Sequence, residues 1–332
     1  MKTEPRVVIP RDLDPGFLAA RAGDPGSLSV LEGETMGTYW KLHFLRPPGC
    51  ARRQVLQWVE ADFALVVRQM SHYAADSELT LFNQAPAGEW RPLSPEFFHV
   101  LREALAFAAE TEGRYDPSVG QLVRRCGFGP DLFLAERETS SPGWSAIELD
   151  ETGQRARHQG ACCLDLSSIA KGYALDRVGG HLEREGIFNY LLEVGGEFRG
   201  SGIKPGGLPW WVDLDPLSGG PSGLPPTRVA LCGLSLATSG TAVQSRKEGG
   251  KRQHHLIDPL RGESAHSSLR AVSVLAPTCL AADAWATALF VLGPEEGLAK
   301  ARERALAATF VACEGEGYRE FASPAFEDLL TD

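Results

Sequence analysis

Asp283 and Thr287, within Ala281-Ala-Asp-Ala-Trp-Ala-Thr287, set a carboxylate and a hydroxyl four residues apart. On a helix that spacing places both on one face, one turn from each other, so both can touch one ion. Oxygen donors of this kind suit magnesium, which takes one or two protein carboxylates and completes its octahedron with water and substrate phosphate. The pair fits equally a helix N-terminal Asp answering the dipole and a Thr bonded to its own backbone. Cys163-Leu-Asp165-Leu-Ser-Ser168-Ile-Ala-Lys171-Gly172-Tyr173 brings an acid, two hydroxyls and a lysine to the predicted start of a helix. Free N–H groups and positive potential there favour phosphate, although a capped helix has the same composition. Gly195-Gly196 interrupts a strand-like run, as close backbone approach or a bulge would require. In Gln253-His254-His255, strand alternation points one imidazole inward and the other outward, and a histidine titrating near neutrality is a candidate base or phosphate partner.

The elements that must hold these residues are read from periodicity. Met36 to Phe44 alternates as a strand, and residues 1–30 before it read as an irregular arm. Apolar residues recur at helical spacing over Ala51–Met70 and Ser94–Gly113, with Ser94-Pro95 as N-cap and first turn and Gly113 as the stop. Ser168–Gly186 is a third predicted helix. Strands are expected at Tyr190–Gly200, Trp210–Leu214, Val229–Leu236, His255–Ile257 and Leu269–Leu275, and closing helices at Leu280–Leu292 and Pro294–Ala307. Dense glycine and proline between Lys204 and Pro226 predict exposed loops around Trp210-Trp211. Helices first and strands second indicate an α+β fold rather than βαβ winding.

With 332 residues, 43% of them hydrophobic, the chain can bury a large core, while a formal net charge of -10 argues against nucleic acid as a partner. Seven cysteines without a CxxC pair suggest neither a disulfide framework nor zinc. No apolar stretch suits a bilayer span or a signal peptide, so the sequence as it stands reads as cytoplasmic. Walker A, GxGxxG, HExxH and EF-hand patterns are absent. Gly233-Leu-Ser235-Leu-Ala237 approaches a hydrolase elbow, with Asp258 and His266 following, but the last glycine is missing and the intervening segment is too short, so Ser235 reads as structural.

The order of motifs over residues 31–295 resembles the ApbE-type FAD:protein FMN transferase family. They are Met36-Gly-Thr38, Met70-Ser-His-Tyr73 with Asp76-Ser-Glu78 and Phe82-Asn83, Gly113-Arg-Tyr-Asp116-Pro-Ser-Val119-Gly120 and Gly127-Phe-Gly129. Asp165 to Gly172, Gly195-Gly196, Ser239-Gly240, His255 to Pro259 and Ala282-Asp-Ala to Thr287 follow. The resemblance implies a T-fold-like α+β architecture over residues 31–332, with two similar subdomains of mixed or antiparallel sheets and packed helices enclosing FAD. It implies that Met36 and Tyr73 contact the flavin, with Tyr73 stacking on it. Arg114, Tyr115 and Asp116 would line the cofactor, Asp165 and Lys171 would hold its polar parts, and Ile257 would close on it. Ser168, through its carbonyl, would join Asp283 and Thr287 around Mg2+. The implied reaction transfers FMN from FAD to a Thr or Ser hydroxyl of an acceptor flavoprotein and releases AMP, with Asp283 and His255 as catalytic residues and His255 activating the hydroxyl. Hydrolysis of FAD to FMN and AMP, or flavin binding without turnover, are the alternatives. Family members are often exported and membrane-anchored, in contrast to the cytoplasmic reading. The family's Asp-Pro-Arg-Thr-Gly is Asp258-Pro-Leu-Arg261-Gly262 here, which shifts the arginine by one place.

Overall fold

The computed structural model describes residues 5–10, 16, 26–129, 143–160, 162–214, 217, 223–241, 245–248 and 251–331. Eight strands form one sheet: β1 (Ser27–Thr35), β2 (Thr38–Arg46), β3 (Tyr190–Val194), β4 (Glu197–Ser201), β5 (Leu234–Gly240), β6 (Leu269–Ala276), β7 (Ala307–Glu314) and β8 (Gly317–Ala322). They lie in chain order across the sheet and every neighbouring pair is antiparallel. Long segments are inserted between strands. Helices α1 (Arg52–Met70), α2 (Glu78–Gln84), α3 (Pro95–Glu110), α4 (Gly120–Arg125) and α5 (Ala170–Arg184) separate β2 from β3, and α6 (Cys279–Glu303) separates β6 from β7. The pattern of two strands, helix and two strands therefore occurs twice.

Helices cover one face of the sheet. Trp40, Leu42 and Phe44 alternate inward from β2 to meet Val55, Val59, Phe63 and Val66 of α1, and the same core takes in Phe97 and Leu101 of α3 and Leu175 and Val178 of α5. A four-stranded sheet covers part of the other face. It contains Arg6–Val8, Trp210–Leu214, Thr227–Leu231 and Leu330–Thr331, and it closes a second core of Val8, Val212, Val229, Leu231, Leu236 and Leu275. β6, enclosed on both sides, is buried at seven of its eight positions and reads as a continuous apolar run.

Several boundaries differ from the sequence expectation. Arg6–Val8 is a strand parallel to Thr227–Leu231, and β1 starts at Ser27, so the stretch 1–30 is not wholly an irregular arm. Residues 1–4, 11–15 and 17–25 lie outside the described part, as do 215–216 and 218–222 of the anticipated loop. The run Tyr190–Gly200 is two strands, because Gly195 (φ 56) and Gly196 (φ 91) make the left-handed two-residue turn that hairpins prefer. Val229–Leu236 likewise breaks at Gly233 (φ 93), sending its halves to different sheets. His255 sits at a bend between strands ending at His254 and starting at Ile257. Ser94 precedes α3 as expected, but its amide and hydroxyl both bond Glu78 at 2.6 Å and do not cap their own helix. The two closing helices meet at Gly293 (φ 84), where Pro294 restarts the helix.

Candidate active site

α5 and α6 approach each other closely at their first turns. A side-chain Cβ on Gly172 would lie 2.3 Å from the Cys279 carbonyl oxygen, so only glycine permits the contact. The α6 amides of Cys279 and Leu280 donate to the Asp176 carboxylate at 2.9 and 2.8 Å, and Arg199 of β4 holds that carboxylate from behind at 2.7 Å. The start of α6 is thus capped from within the protein. On α5, the Gly172 amide donates to Asp283 Oδ2 at 3.2 Å. These bonds aim the second turn of α6 at the first turn of α5.

Three charged side chains meet there. Lys171 pairs with Glu197, the residue after the Gly195-Gly196 turn, and Asp283 lies within their field. Glu197 and Asp283 are buried, and Glu197 Oε2 has no hydrogen-bond partner. Burial and the Glu197 charge push the Asp283 carboxyl well above the usual carboxylate range, and Lys171 and the Gly172 amide pull it only partly back. Burial opposes the Lys171 charge, but Glu197 and Asp283 outweigh it and raise the ammonium above its ordinary value. With Asp283 ionised, two carboxylates facing one ammonium would leave an excess negative charge in a low-dielectric site, which a bound cation would neutralise. One turn on, the Thr287 hydroxyl is 2.9 Å from Ser239 Oγ of β5. Ser168, just before α5, donates to the Tyr115 hydroxyl at 3.1 Å, and burial raises the Tyr115 phenol so far that it stays neutral. Among the described residues no three His, Cys, Asp or Glu side chains could hold a metal together. An ion here would depend on one carboxylate, hydroxyl and carbonyl oxygens, and its ligand's phosphate, a donor set that fits magnesium.

A second group forms where the chain enters α5. Asp165 accepts from the Ser167 amide at 2.8 Å and hydroxyl at 2.6 Å, and lies 3.3 Å from His72 Nδ1. Burial pushes the Asp165 carboxyl up, but His72 and Ser167 outweigh it and hold it at about 2; burial lowers the His72 imidazole and Asp165 more than restores it. Tyr73 is 64% exposed, with its ring 4.3 Å from that of His72 between centroids. An exposed aromatic face against a residue that lines a cleft can serve as a stacking platform. The cleft is lined by His72, Asn83, Gly120, Val123, Arg124 and Asp165 among others.

The pair makes stability depend on pH from both sides. Asp165, depressed in the folded state, contributes above the unfolded Asp value near 4 and loses its contribution as pH falls through about 2. His72, raised in the folded state, contributes below the unfolded His value near 6.5 and loses it as pH rises through its folded value. Asp165→Asn is therefore expected to destabilise the protein most between about pH 4 and 6.5, by roughly 2 kcal/mol. Urea unfolding of both proteins across pH 2–9 checks this, and a difference that does not vary with pH would contradict it.

The remaining candidates lie outside the residues that line this cleft. Met36 (φ 48) sits in the β1–β2 turn, beside the Gly195-Gly196 turn, where a Cβ on Gly195 would lie 2.9 Å from Thr38 Cγ2. Ile257 packs with Leu122 and Cys126 of α4, and Val123, which also lines the cleft, packs against the same cluster. His255 is half-buried, with its ring against Phe128. Its neighbour His254 is the inward imidazole, buried, lowered to about 4 and bonded to the Ala265 carbonyl at 3.0 Å. Arg114 pairs with Glu296 of α6 at 3.2 Å, and both Asp116 oxygens accept hydrogen bonds, from Ser118 at 2.6 and 2.7 Å and from the Trp144 amide at 3.2 Å. Arg261, after its shift in register, pairs with Asp258 at 3.5 Å and is exposed. Ser235 is fully buried inside β5 and forms no nucleophile elbow. His72 and Glu197 join these clusters although the sequence reading gave them no role. His72 lies within the Met70–Tyr73 segment, and Glu197 follows the paired glycines.

The sequence pattern described as the ApbE family matches residues 36–310. A Vibrio cholerae protein named FAD:protein FMN transferase is 33% identical over 325 residues, covering 95% of this chain and 96% of that protein. A Haemophilus influenzae protein of the same name is 34% identical over 90% of each chain. The crystal structure of Pseudomonas stutzeri flavinyl transferase ApbE, in its apo form, superimposes with a TM-score of 0.83 at 31% identity, over 92% of this chain and 97% of that one.

Proposed function

The chain belongs to the ApbE family, and from that premise we propose that it is a FAD:protein FMN transferase, acting on FAD and a hydroxyl of an acceptor flavoprotein. The observation that carries the proposal is the half-buried Lys171 between the buried carboxyls of Glu197 and Asp283 where α5 meets α6. Tyr73 receives the isoalloxazine face, and Met36 at the β1–β2 turn contacts the same ring. Lys171 faces the pyrophosphate as a positive charge held in place by Glu197.

Magnesium would be held by Asp283, Thr287 and the Ser168 carbonyl, and when bound it would neutralise charge on the pyrophosphate oxygens. The transfer itself is a displacement at phosphorus. The Thr or Ser oxygen of the acceptor forms a bond to the FMN phosphorus, the bond from that phosphorus to the bridging oxygen breaks, and AMP departs with the electron pair. The hydroxyl proton passes to His255, a half-buried imidazole with its ring against Phe128. The buried, neutral Tyr115 phenol fixes Ser168 and so steadies the carbonyl end of the metal site.

Purified protein incubated with FAD, magnesium and a candidate acceptor domain is expected to yield AMP and a fluorescent acceptor band after denaturing electrophoresis in equal amounts. AMP without protein-bound flavin would identify a pyrophosphatase. Stable flavin binding with no AMP would identify a carrier.

A further inference from the structure

His72 touches both ends of the proposed substrate site. Its ring lies 4.3 Å from that of Tyr73 and tilted by 40°, so it backs the platform assigned to the flavin. Its Nδ1 lies 3.3 Å from Asp165 Oδ1 and 3.3 Å from Ser167 Oγ, on the turn that leads into Ser168 and α5. That turn is fixed upstream. Asn83 bonds both the carbonyl and the amide of Leu164, at 2.9 and 2.7 Å, and the Asp165 amide donates to the Pro117 carbonyl at 2.8 Å. Downstream, the side chains of Asp165 and Ser167 bond each other and His72. His72 Nε2 is buried without a partner, so the imidazole is oriented through Nδ1 and its ring face alone.

We infer that His72 is a positioning residue with two separable outputs: its ring sets the pose of Tyr73, and its Nδ1 sets the Asp165–Ser168 turn that presents Ser168 and Lys171 to the phosphates. The inference rests on the flavin-transfer reading above. It deepens that reading by assigning one side chain to both the binding of the flavin ring and the geometry of transfer. A charged imidazole is the form suited to this, because a buried Asp165 without a counter-charge would turn away or take up a proton. Asp165 and Tyr73, with Arg124 and Cys163 on the cleft wall, are the titratable or charged groups that face this imidazole.

Two substitutions divide the outputs. His72→Phe keeps an aromatic face for Tyr73 and removes the donor to Asp165. It is expected to leave KM for FAD within about threefold and to lower kcat by about tenfold or more, as misplacement of a positioning turn does. His72→Asn keeps an N–H near the Nδ1 position and removes the ring. For it, kcat is expected to stay within about threefold while KM for FAD, and the dissociation constant for FMN measured by fluorescence quenching, rise about five- to tenfold. Thermal unfolding is followed for both. Equal proportional losses of kcat and KM in both variants, following a fall in Tm, would reduce His72 to a packing residue, and unchanged kinetics in both would remove it altogether. If His72→Phe does not fold, His72→Asn decides alone: kcat kept with FMN binding weakened supports the inference, and the reverse overturns it. FMN titration needs no turnover, so wild-type protein that binds FMN but transfers none would count against the transferase reading and not against the role of His72 in binding.

Discussion

Asp283→Asn is expected to abolish magnesium-dependent flavin transfer while leaving the protein folded and, without metal, more stable than wild type. Burial and Glu197 raise the Asp283 carboxyl well above its unfolded value, so its ionised form costs folding free energy near neutral pH, a cost relieved as pH falls. The neutral amide removes that cost and keeps the shape of the side chain. The loss of rate follows from losing the one carboxylate in the proposed donor set, and about a thousandfold corresponds to about 4 kcal/mol of transition-state stabilisation. Magnesium titrated against thermal unfolding separates the two effects. Wild type is expected to gain Tm with metal and the variant to gain none, and an equal gain in both would mean that the ion binds elsewhere.

The second large effect is expected at a residue with no polar side chain. Gly172→Ala places a methyl 2.3 Å from the Cys279 oxygen, 2.6 Å from its carbonyl carbon and 2.8 Å from Leu280 Cα. All three are backbone atoms in a helix start already held by Asp176, so α5 and α6 must separate. Overpacking of this kind costs about 1–3 kcal/mol. Moving Lys171 relative to Asp283 by about 1 Å is expected to lower transfer by about a hundredfold, beyond what the fall in stability explains at a temperature where the variant is folded. Urea unfolding together with kinetics at 15 °C measures both, and near-wild-type transfer would show that the spacing of the two helices is not critical.

Helical periodicity made α1, α3 and α5 legible because each buries a regular stripe, and their bounds agree with the expected spans to within a few residues. Turns at Met36-Gly37, Gly195-Gly196 and Gly233 were harder to place. A glycine inside an apolar run reads as a bulge or a turn alike until partner strands fix its φ. The short helices α2 and α4, at 7 and 6 residues, are too brief for a periodic signal, yet α4 supplies Val123 and Arg124 to the cleft and packs Leu122 against Ile257. Asp283 and Thr287 were visible as a spacing. The excess charge around them was not, because Glu197 comes from a strand 86 residues earlier and meets Lys171 only through the sheet's order. Arg114 and Asp116 show another limit: the partners that hold them, Glu296 and Ser118, are set by the fold and were not legible in their motif.

The two-part strand and helix pattern also fixes when the enzyme can begin to act during its synthesis. Lys171 and Glu197 belong to the first part, whereas Ser239, Asp283 and Thr287 belong to the second. A chain still on the ribosome with only its first 240 residues emerged has Tyr73 and Lys171 but neither Asp283 nor Thr287, the proposed holders of the ion. On the proposed mechanism, cleavage of FAD would therefore wait until α6 has emerged and docked against α5.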